Sequence, residues 1–244
     1  MSAAPATGCA RIVDARVAGV REVGAYRLVL LEGEGLEAPA PGRFAMARDP
    51  AGAAFLARPV GPFGLDGGGV GVLVDPSYGV GALASARELT LLGPLGRGYD
   101  LAGLRAASTL LVAGGIGLTV LVDVPRALGG RMRLLAGFRS AAQAEVVGLV
   151  DADAELVLAP DVVTGPLQRV LAAGGVQAVL AAGSLPMMRA VAGACAAASV
   201  PCQVALEAPM ACGFGACYGC AVELDGRLQR LCIEGPVVAA ERIG

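Results

Sequence analysis

The first hundred residues alternate short apolar stretches with glycine and proline, and no helical period runs through them. Representative apolar stretches are residues 26–31, 71–74 and 89–92. Short apolar runs separated by turn-forming residues are typical of antiparallel strands. We therefore predict an antiparallel β-barrel or sandwich for this part of the chain.

Residues 108–200 show a different pattern, in which apolar segments of strand length alternate with segments of helical length. The predicted strands are residues 110–113, 134–137 and 179–182, and the predicted helices are residues 117–127 and 186–198. Such alternation predicts a doubly wound parallel sheet with helices on both faces. Glycine interrupts the longest charge-free runs, so we favour buried strands over a membrane protein.

A glycine cluster, Gly114, Gly115 and Gly117, follows the first strand predicted for this sheet. Backbone N–H groups between a strand and a helix favour a bound phosphate. The cluster is not a full G-x-G-x-x-G motif because Val120 occupies the last position, and a tight turn needed only for packing is the alternative. We predict a nucleotide site at this end of the sheet.

Four cysteines stand near the end of the chain: Cys212, Cys217, Cys220 and Cys232. The spacing C-x4-C-x2-C with a distant fourth cysteine is the plant-type pattern of 2Fe-2S cluster ligands. Glycines at 213, 215 and 219 would let the loop turn sharply. Asp225-Gly226 lies between residues 221–224 and 227–231 and predicts a hairpin that returns Cys232 to the loop.

Disulfides and structural zinc are the alternatives for these four cysteines. Residues 1–5 do not resemble a signal peptide, so we expect a reducing cytoplasm in which disulfides are rare. Structural zinc sites usually pair two C-x2-C units or add histidine, and the chain has no histidine. We interpret the remaining cysteines, Cys9, Cys195 and Cys202, as ordinary buried residues.

Composition excludes two broad classes of function. All basic residues are arginine and the formal net charge is −2, so no basic surface for nucleic acid is predicted. The absence of histidine removes the usual general base, and we predict no catalytic acid–base residue.

The barrel region offers two candidate phosphate contacts. Arg58 precedes Pro59 and could grip a flavin phosphate, although an exposed arginine at a strand end is the alternative. The segment Gly79-Val80-Gly81-Ala82-Leu83 is either the start of a phosphate-binding helix or a simple turn.

These motifs occur in a recognisable order over essentially the whole chain. The chain resembles the electron-transfer subunit of class 1B dihydroorotate dehydrogenase, a ferredoxin-reductase-like FAD and 2Fe-2S protein. Further segments that carry the resemblance are residues 92–99, residues 182–188, Glu207, residues 210–220 and residues 232–238.

The resemblance implies a multidomain β and α/β protein. Its parts would be an antiparallel FAD-binding barrel over residues 1–101, an NAD-binding doubly wound sheet over 102–201 and a small 2Fe-2S domain over 202–244. Electrons would pass between NAD(H) and an FMN-containing dihydroorotate dehydrogenase catalytic subunit, by way of FAD and the cluster, in pyrimidine biosynthesis. A cytoplasmic heterotetramer with two copies of each subunit is expected.

The resemblance also implies which residues contact FAD: Arg58, Pro59, Val60, Gly61, Val74, Asp75, Pro76, Gly81 and Ala82. The family usually has Ser or Thr where Gly61 stands and Thr where Ala82 stands. Asp75 adds a negative charge near the phosphates, and Leu118-Thr119-Val120 replaces the usual prolines. Weaker FAD binding or an altered nucleotide site is the expectation.

Two other functions fit the same motifs. One is a subunit of a related NAD(P)H–ferredoxin oxidoreductase or sulfhydrogenase, although those relatives often have Asp where this chain has Cys212. The other is a non-catalytic, cluster-bearing partner with a degraded flavin site. NADH is expected from the family, whereas Arg139-Ser140 after a strand could favour a 2′-phosphate.

Overall fold

An antiparallel barrel forms the N-terminal part of the computed structural model, which describes residues 10–52 and 54–243. Its strands are β1 (Arg11–Val23), β2 (Tyr26–Glu32), β3 (Phe44–Arg48), β4 (Arg58–Val60), β5 (Pro62–Gly64), β6 (Val70–Val74) and β7 (Glu88–Leu95). They lie in the order β4-β3-β7-β1-β2-β6-β5, with Val29, Val72 and Leu89 in the core. The two edge strands are joined through Gly61, so the sheet nearly closes on itself.

A second sheet follows the barrel. Its strands are β8 (Thr109–Gly114), β9 (Met132–Phe138), β10 (Ala152–Leu158), β11 (Ala178–Gly183), β12 (Cys202–Leu206) and β15 (Val237–Ala239). The order is β10-β9-β8-β11-β12-β15, parallel except where β15 pairs antiparallel with β12. The strand order therefore reverses between β8 and β11, which is the switch point where doubly wound sheets bind ligands.

Helices cover both faces of this sheet. They are α1 (Val124–Leu128), α2 (Ala141–Ala144), α3 (Thr164–Ala173) and α4 (Leu185–Ala197), with 3-10 helices at Ala106–Ser108, Gly115–Leu121, Glu145–Leu149 and Ala240–Ile243. A further 3-10 helix, Gly79–Ser85, packs on β2 and β6 of the barrel instead. Leu110 packs in the core formed with α3 and α4, and the next residue, Leu111, packs in the core on the opposite face. Consecutive strand residues thus point to opposite faces, and both faces are buried.

The structure confirms the predicted fold class and all the named strands. The helix predicted at 186–198 is α4, but the α-helix predicted at 117–127 is wrong. Gly115–Leu121 forms a 3-10 helix instead, and α1 begins only at Val124. Pro125 explains the break, because proline has no N–H to donate and fits only the first turn of an α-helix.

The cysteine region is an insertion between β12 and β15, the last two strands of the second sheet. The predicted hairpin is confirmed as β13 (Ala221–Leu224) and β14 (Arg227–Arg230), and Cys232 lies in the following helical turn, α5 (Leu231–Glu234). The boundary predicted between residues 201 and 202 falls directly before β12, so the second sheet continues past it. No helix within residues 10–52 and 54–243 is long and apolar enough to span a membrane.

Candidate functional site

Arg58 lies at the corner where the barrel nearly closes. Its guanidinium group reaches the start of the 3-10 helix Gly79–Ser85, where a Cβ built on Gly79 would lie 3.2 Å from Nη2. Arg58 forms no ion pair with any carboxylate among the described residues. An exposed guanidinium group without a carboxylate partner can donate hydrogen bonds to the phosphate of a flavin nucleotide.

Asp75 has a structural partner in the turn that precedes this helix. Its Oδ1 accepts hydrogen bonds from Ser77 N at 2.9 Å and from Ser77 Oγ at 2.5 Å. Gly81 packs on the same turn, where an added Cβ would lie 2.7 Å from Pro76 Cα. The carboxylate at position 75 therefore stabilises the turn, and the small residue at position 81 lets the helix approach it.

The space beside Gly61 is filled from the second sheet. A Cβ built on Gly61 would lie 2.8 Å from Thr119 Oγ1 and 3.1 Å from Val120 Cγ1. The Thr119 hydroxyl also donates to Ile116 O at 3.0 Å. A hydroxyl thus lies beside position 61 although the residue there is glycine, because Thr119 supplies it from the Gly115–Leu121 helix.

A cavity of about 560 Å³ lies at the carboxyl ends of the parallel strands and extends to the barrel. Its barrel side is formed by Tyr26, Asp75 and Tyr78, and its sheet side includes Gly114, Gly115 and Arg139. The volume is within the range of small-molecule and cofactor sites. The cavity therefore brings the predicted glycine cluster next to the segment expected to contact flavin.

The three predicted glycines divide into two roles. Gly114 and Gly115 line the cavity, and Met187 Sδ would lie 2.3 Å from a Cβ added at Gly114. Gly117 lies behind them, where an added Cβ would be 3.0 Å from Gly183 N on β11. Two glycines can thus present backbone to a ligand, and the third lets the loop pack on the sheet.

Two titratable side chains in the cavity are perturbed by their surroundings. Burial, followed by the charge of Asp75, raises the pKa of Tyr26 to about 12. Partial burial in the cleft also raises the pKa of Glu207, which remains reachable from the cavity. Tyr26 is therefore a neutral hydrogen-bonding group at neutral pH, and it lies on the barrel side of the cavity.

The cysteine loop turns sharply between the barrel and solvent. Gly213 and Gly215 have φ of +77° and +87°, and Tyr218 also has a positive φ of +59°. The expectation that Gly219 supplies such a turn is wrong, since its φ is ordinary; its N–H instead donates to Cys217 Sγ at 3.4 Å. A Cβ on Gly213 would lie 2.3 Å from Met46 Cγ, so the loop packs directly on the barrel.

The four thiols lie in two pairs. Cys212 neighbours Cys217 and Cys220 neighbours Cys232, and the charge of Cys212 also acts on Cys232; Cys217 is exposed and the second pair is buried. Burial opposes ionisation of Cys212, but backbone N–H groups that face its sulfur outweigh burial and lower its pKa to about 6. Burial and the neighbouring Cys220 raise the pKa of Cys232 to about 12.

This donor set fits a two-iron cluster. Among the described residues, no group of three or more His, Cys, Asp or Glu side chains forms a site for one metal ion. Two thiol pairs match a cluster in which each of two irons takes two cysteines, and N–H groups around the sulfurs are typical of iron–sulfur sites. The interpretation of Cys195 and Cys202 as buried residues is confirmed, and Cys9 lies outside the described residues.

Comparison with known proteins decides the family. A family model described as the iron–sulfur cluster binding domain of dihydroorotate dehydrogenase B matches residues 207–244. The dihydroorotate dehydrogenase B (NAD(+)) electron transfer subunit of Clostridium perfringens is 30% identical over 214 residues, covering 80% of this chain and 83% of that protein. The chain belongs to the family of dihydroorotate dehydrogenase B electron transfer subunits. The subunit of Caldanaerobacter subterraneus is 29% identical over 222 residues, 84% of this chain and 87% of its own.

Solved structures share the fold of this electron transfer subunit. The structure of an NADH-dependent reduced ferredoxin–NADP oxidoreductase superposes with a TM-score of 0.76 at 19% identity, covering 94% of this chain and 89% of that one. The ferredoxin reductase of carbazole 1,9a-dioxygenase gives a TM-score of 0.63 at 17% identity, covering 81% and 69%. The electron transfer subunit therefore has a ferredoxin-reductase-like fold, and its family and cysteine domain support a 2Fe-2S cluster, FAD and NAD(H) as cofactors.

Several residues of the electron transfer subunit's cavity were not predicted from the sequence. Tyr26, Asp161, Thr164 and Met187 line it, each close to the end of a strand or the start of a helix. The rule that ligands bind beyond the carboxyl ends of parallel strands would have indicated Asp161 and Met187. No local signal marks Tyr26, because it reaches the cavity from the barrel.

Proposed function

We propose that the chain relays electrons between NAD(H) and the flavin of an FMN-containing dihydroorotate dehydrogenase catalytic subunit. One observation carries the proposal: the cysteine loop packs on the barrel at Gly213 and Met46, while Cys217 on the same loop is exposed to solvent. The nucleotide cavity opens on the same barrel through Tyr26 and Tyr78. The barrel therefore contacts both the cavity and the thiol loop, which supports a relay through a flavin bound to it.

Three groups of residues would bind the three cofactors. Cys212, Cys217, Cys220 and Cys232 would hold the cluster, Arg58 and the 74–82 segment would bind FAD, and Gly114 and Gly115 would face the nicotinamide nucleotide. When bound, FAD exchanges two electrons with nicotinamide and single electrons with the cluster. The protein fixes the separation of the sites and excludes water from the buried thiol pair.

The catalytic subunit would meet the chain at the cysteine loop. Phe214 and Tyr218 flank Cys217 and expose 59% and 58% of their surface. Exposed aromatic side chains are enriched at protein interfaces. A heterotetramer with two copies of each subunit, and a cytoplasmic location, stay predictions from the sequence.

Purification with the catalytic subunit tests the proposal. Anaerobic NADH should bleach the visible bands of flavin and cluster, and the complex should couple dihydroorotate oxidation to NAD⁺ reduction. Cluster bands without flavin bands would favour the non-catalytic alternative. Bleaching by NADH without any effect of dihydroorotate in the complex would contradict the proposed partner.

A further inference from the structure

Arg230 holds the cysteine loop from the hairpin that leads to Cys232. Its Nη1 donates to Gly215 O at 2.9 Å, and its guanidinium carbon lies 4.9 Å from the centre of the Tyr218 ring. Both contacts are on the loop between the first and third cysteines. One side chain therefore binds the loop at two points, by a hydrogen bond and by a cation–π contact.

Glu234 fixes the orientation of this arginine. Its carboxylate accepts from Arg230 Nη2 at 3.1 Å and from Arg230 N at 2.8 Å. The two side chains are 29% and 26% exposed, so the pair is better shielded from water than a surface ion pair. Cys232 lies between Arg230 and Glu234 in sequence, so this ion pair encloses a predicted cluster ligand.

The peptide bond that Arg230 contacts also faces the thiols. The carbonyl of Gly215 and the N–H of Ala216 belong to one peptide unit, and that N–H is among the groups that face the Cys212 sulfur. The N–H of Gly215 faces the sulfur of Cys232. A cation on the carbonyl polarises the peptide and strengthens the hydrogen bond at its other end.

We propose that Arg230 is a positioning residue for the cluster, which fixes the Gly215–Ala216 peptide against the ligands and raises the cluster's reduction potential. Reduction adds negative charge, and both a nearby cation and N–H donors to the sulfurs stabilise that charge. The inference rests on the proposed cluster assignment. It adds a specific role for a residue outside the predicted cluster ligands and the predicted FAD contacts.

Redox titration of the holoprotein, followed by visible absorption and electron paramagnetic resonance, tests this role. R230Q should shift the cluster's reduction equilibrium at least tenfold toward the oxidised form, which is about 59 mV for one electron. R227Q is the matched control, because Arg227 is exposed on the same strand and forms no ion pair among residues 10–52 and 54–243. It should shift the equilibrium less than threefold.

Two further variants separate charge from geometry. R230K keeps the charge, but a single ammonium group cannot contact Gly215, Glu234 and the Tyr218 ring together, so an intermediate potential and altered resonance lines are expected. E234Q removes the opposing charge and should raise the potential. R230Q could lose the cluster, and R230K is then the deciding variant. A wild-type reduction potential and wild-type electron paramagnetic resonance lines in R230K would overturn the proposal.

The outcomes also separate this inference from the proposed function. A wild-type protein without a cluster signal would remove the cluster assignment itself. A wild-type cluster whose potential changes equally in R230Q and R227Q, or rises in R230Q, would remove only the role of Arg230.

Discussion

Gly61 and Thr119 form a contact whose energy can be measured. In G61A the new Cβ would lie 2.8 Å from Thr119 Oγ1 and 3.1 Å from Val120 Cγ1, which is overpacking between the barrel and the nucleotide sheet. Strain of this kind costs about 1–3 kcal/mol. T119A removes the closer of these two contacts but loses the hydrogen bond to Ile116 O, at about 1 kcal/mol.

The double variant G61A/T119A decides the question. Because the added methyl would occupy the space that the threonine vacates, we expect it to be at least about 1 kcal/mol more stable than the sum of the single variants. Urea unfolding followed by circular dichroism suits a chain without tryptophan. If the changes in the free energy of unfolding of the two single variants simply add in the double variant, the contact is refuted. G61S/T119A would move the hydroxyl to the position usual in the family, and FAD affinity should match the wild type; a tenfold loss would show that Thr119 itself is needed.

Three other predictions concern the cofactor sites. C217S should abolish the visible cluster absorption, while C195A, which alters a buried cysteine outside the loop, should keep it; an unchanged spectrum in C217S contradicts the ligand assignment. R58A should weaken FAD binding by about ten- to a hundredfold, since a charge-assisted phosphate contact is worth about 1.5–3 kcal/mol. R48A should not change the FAD affinity, and equal FAD affinities of R58A and the wild type would exclude Arg58 from the site. D161N should lower the ratio of kcat/KM for NADH to kcat/KM for NADPH by about tenfold, because the Asp161 carboxylate lines the cavity and repels a 2′-phosphate. An unchanged ratio would mean that the adenosine binds elsewhere.

Local patterns predicted much of this molecule. Cysteine spacing and the Asp225-Gly226 turn depend on nearby residues, so the cluster loop and its hairpin could be predicted. Strand β1 was not among the stretches used to predict the barrel, because most of its side chains are exposed and its apolar signal is weak. Contacts between Gly61 and Thr119, or between Arg230 and the loop, join residues brought together only by the fold, and no periodicity encodes them.

The antiparallel strand β15 has a consequence for how the cluster is retained. Val237–Ala239 pairs with β12, and Cys232 lies between these two strands in sequence. The cysteine region is therefore tied at both ends to the sheet that forms the nucleotide cavity, and it cannot swing away as a separate module. We therefore expect loss of the cluster to loosen the edge of that sheet, which would weaken nucleotide binding and increase sensitivity to proteases.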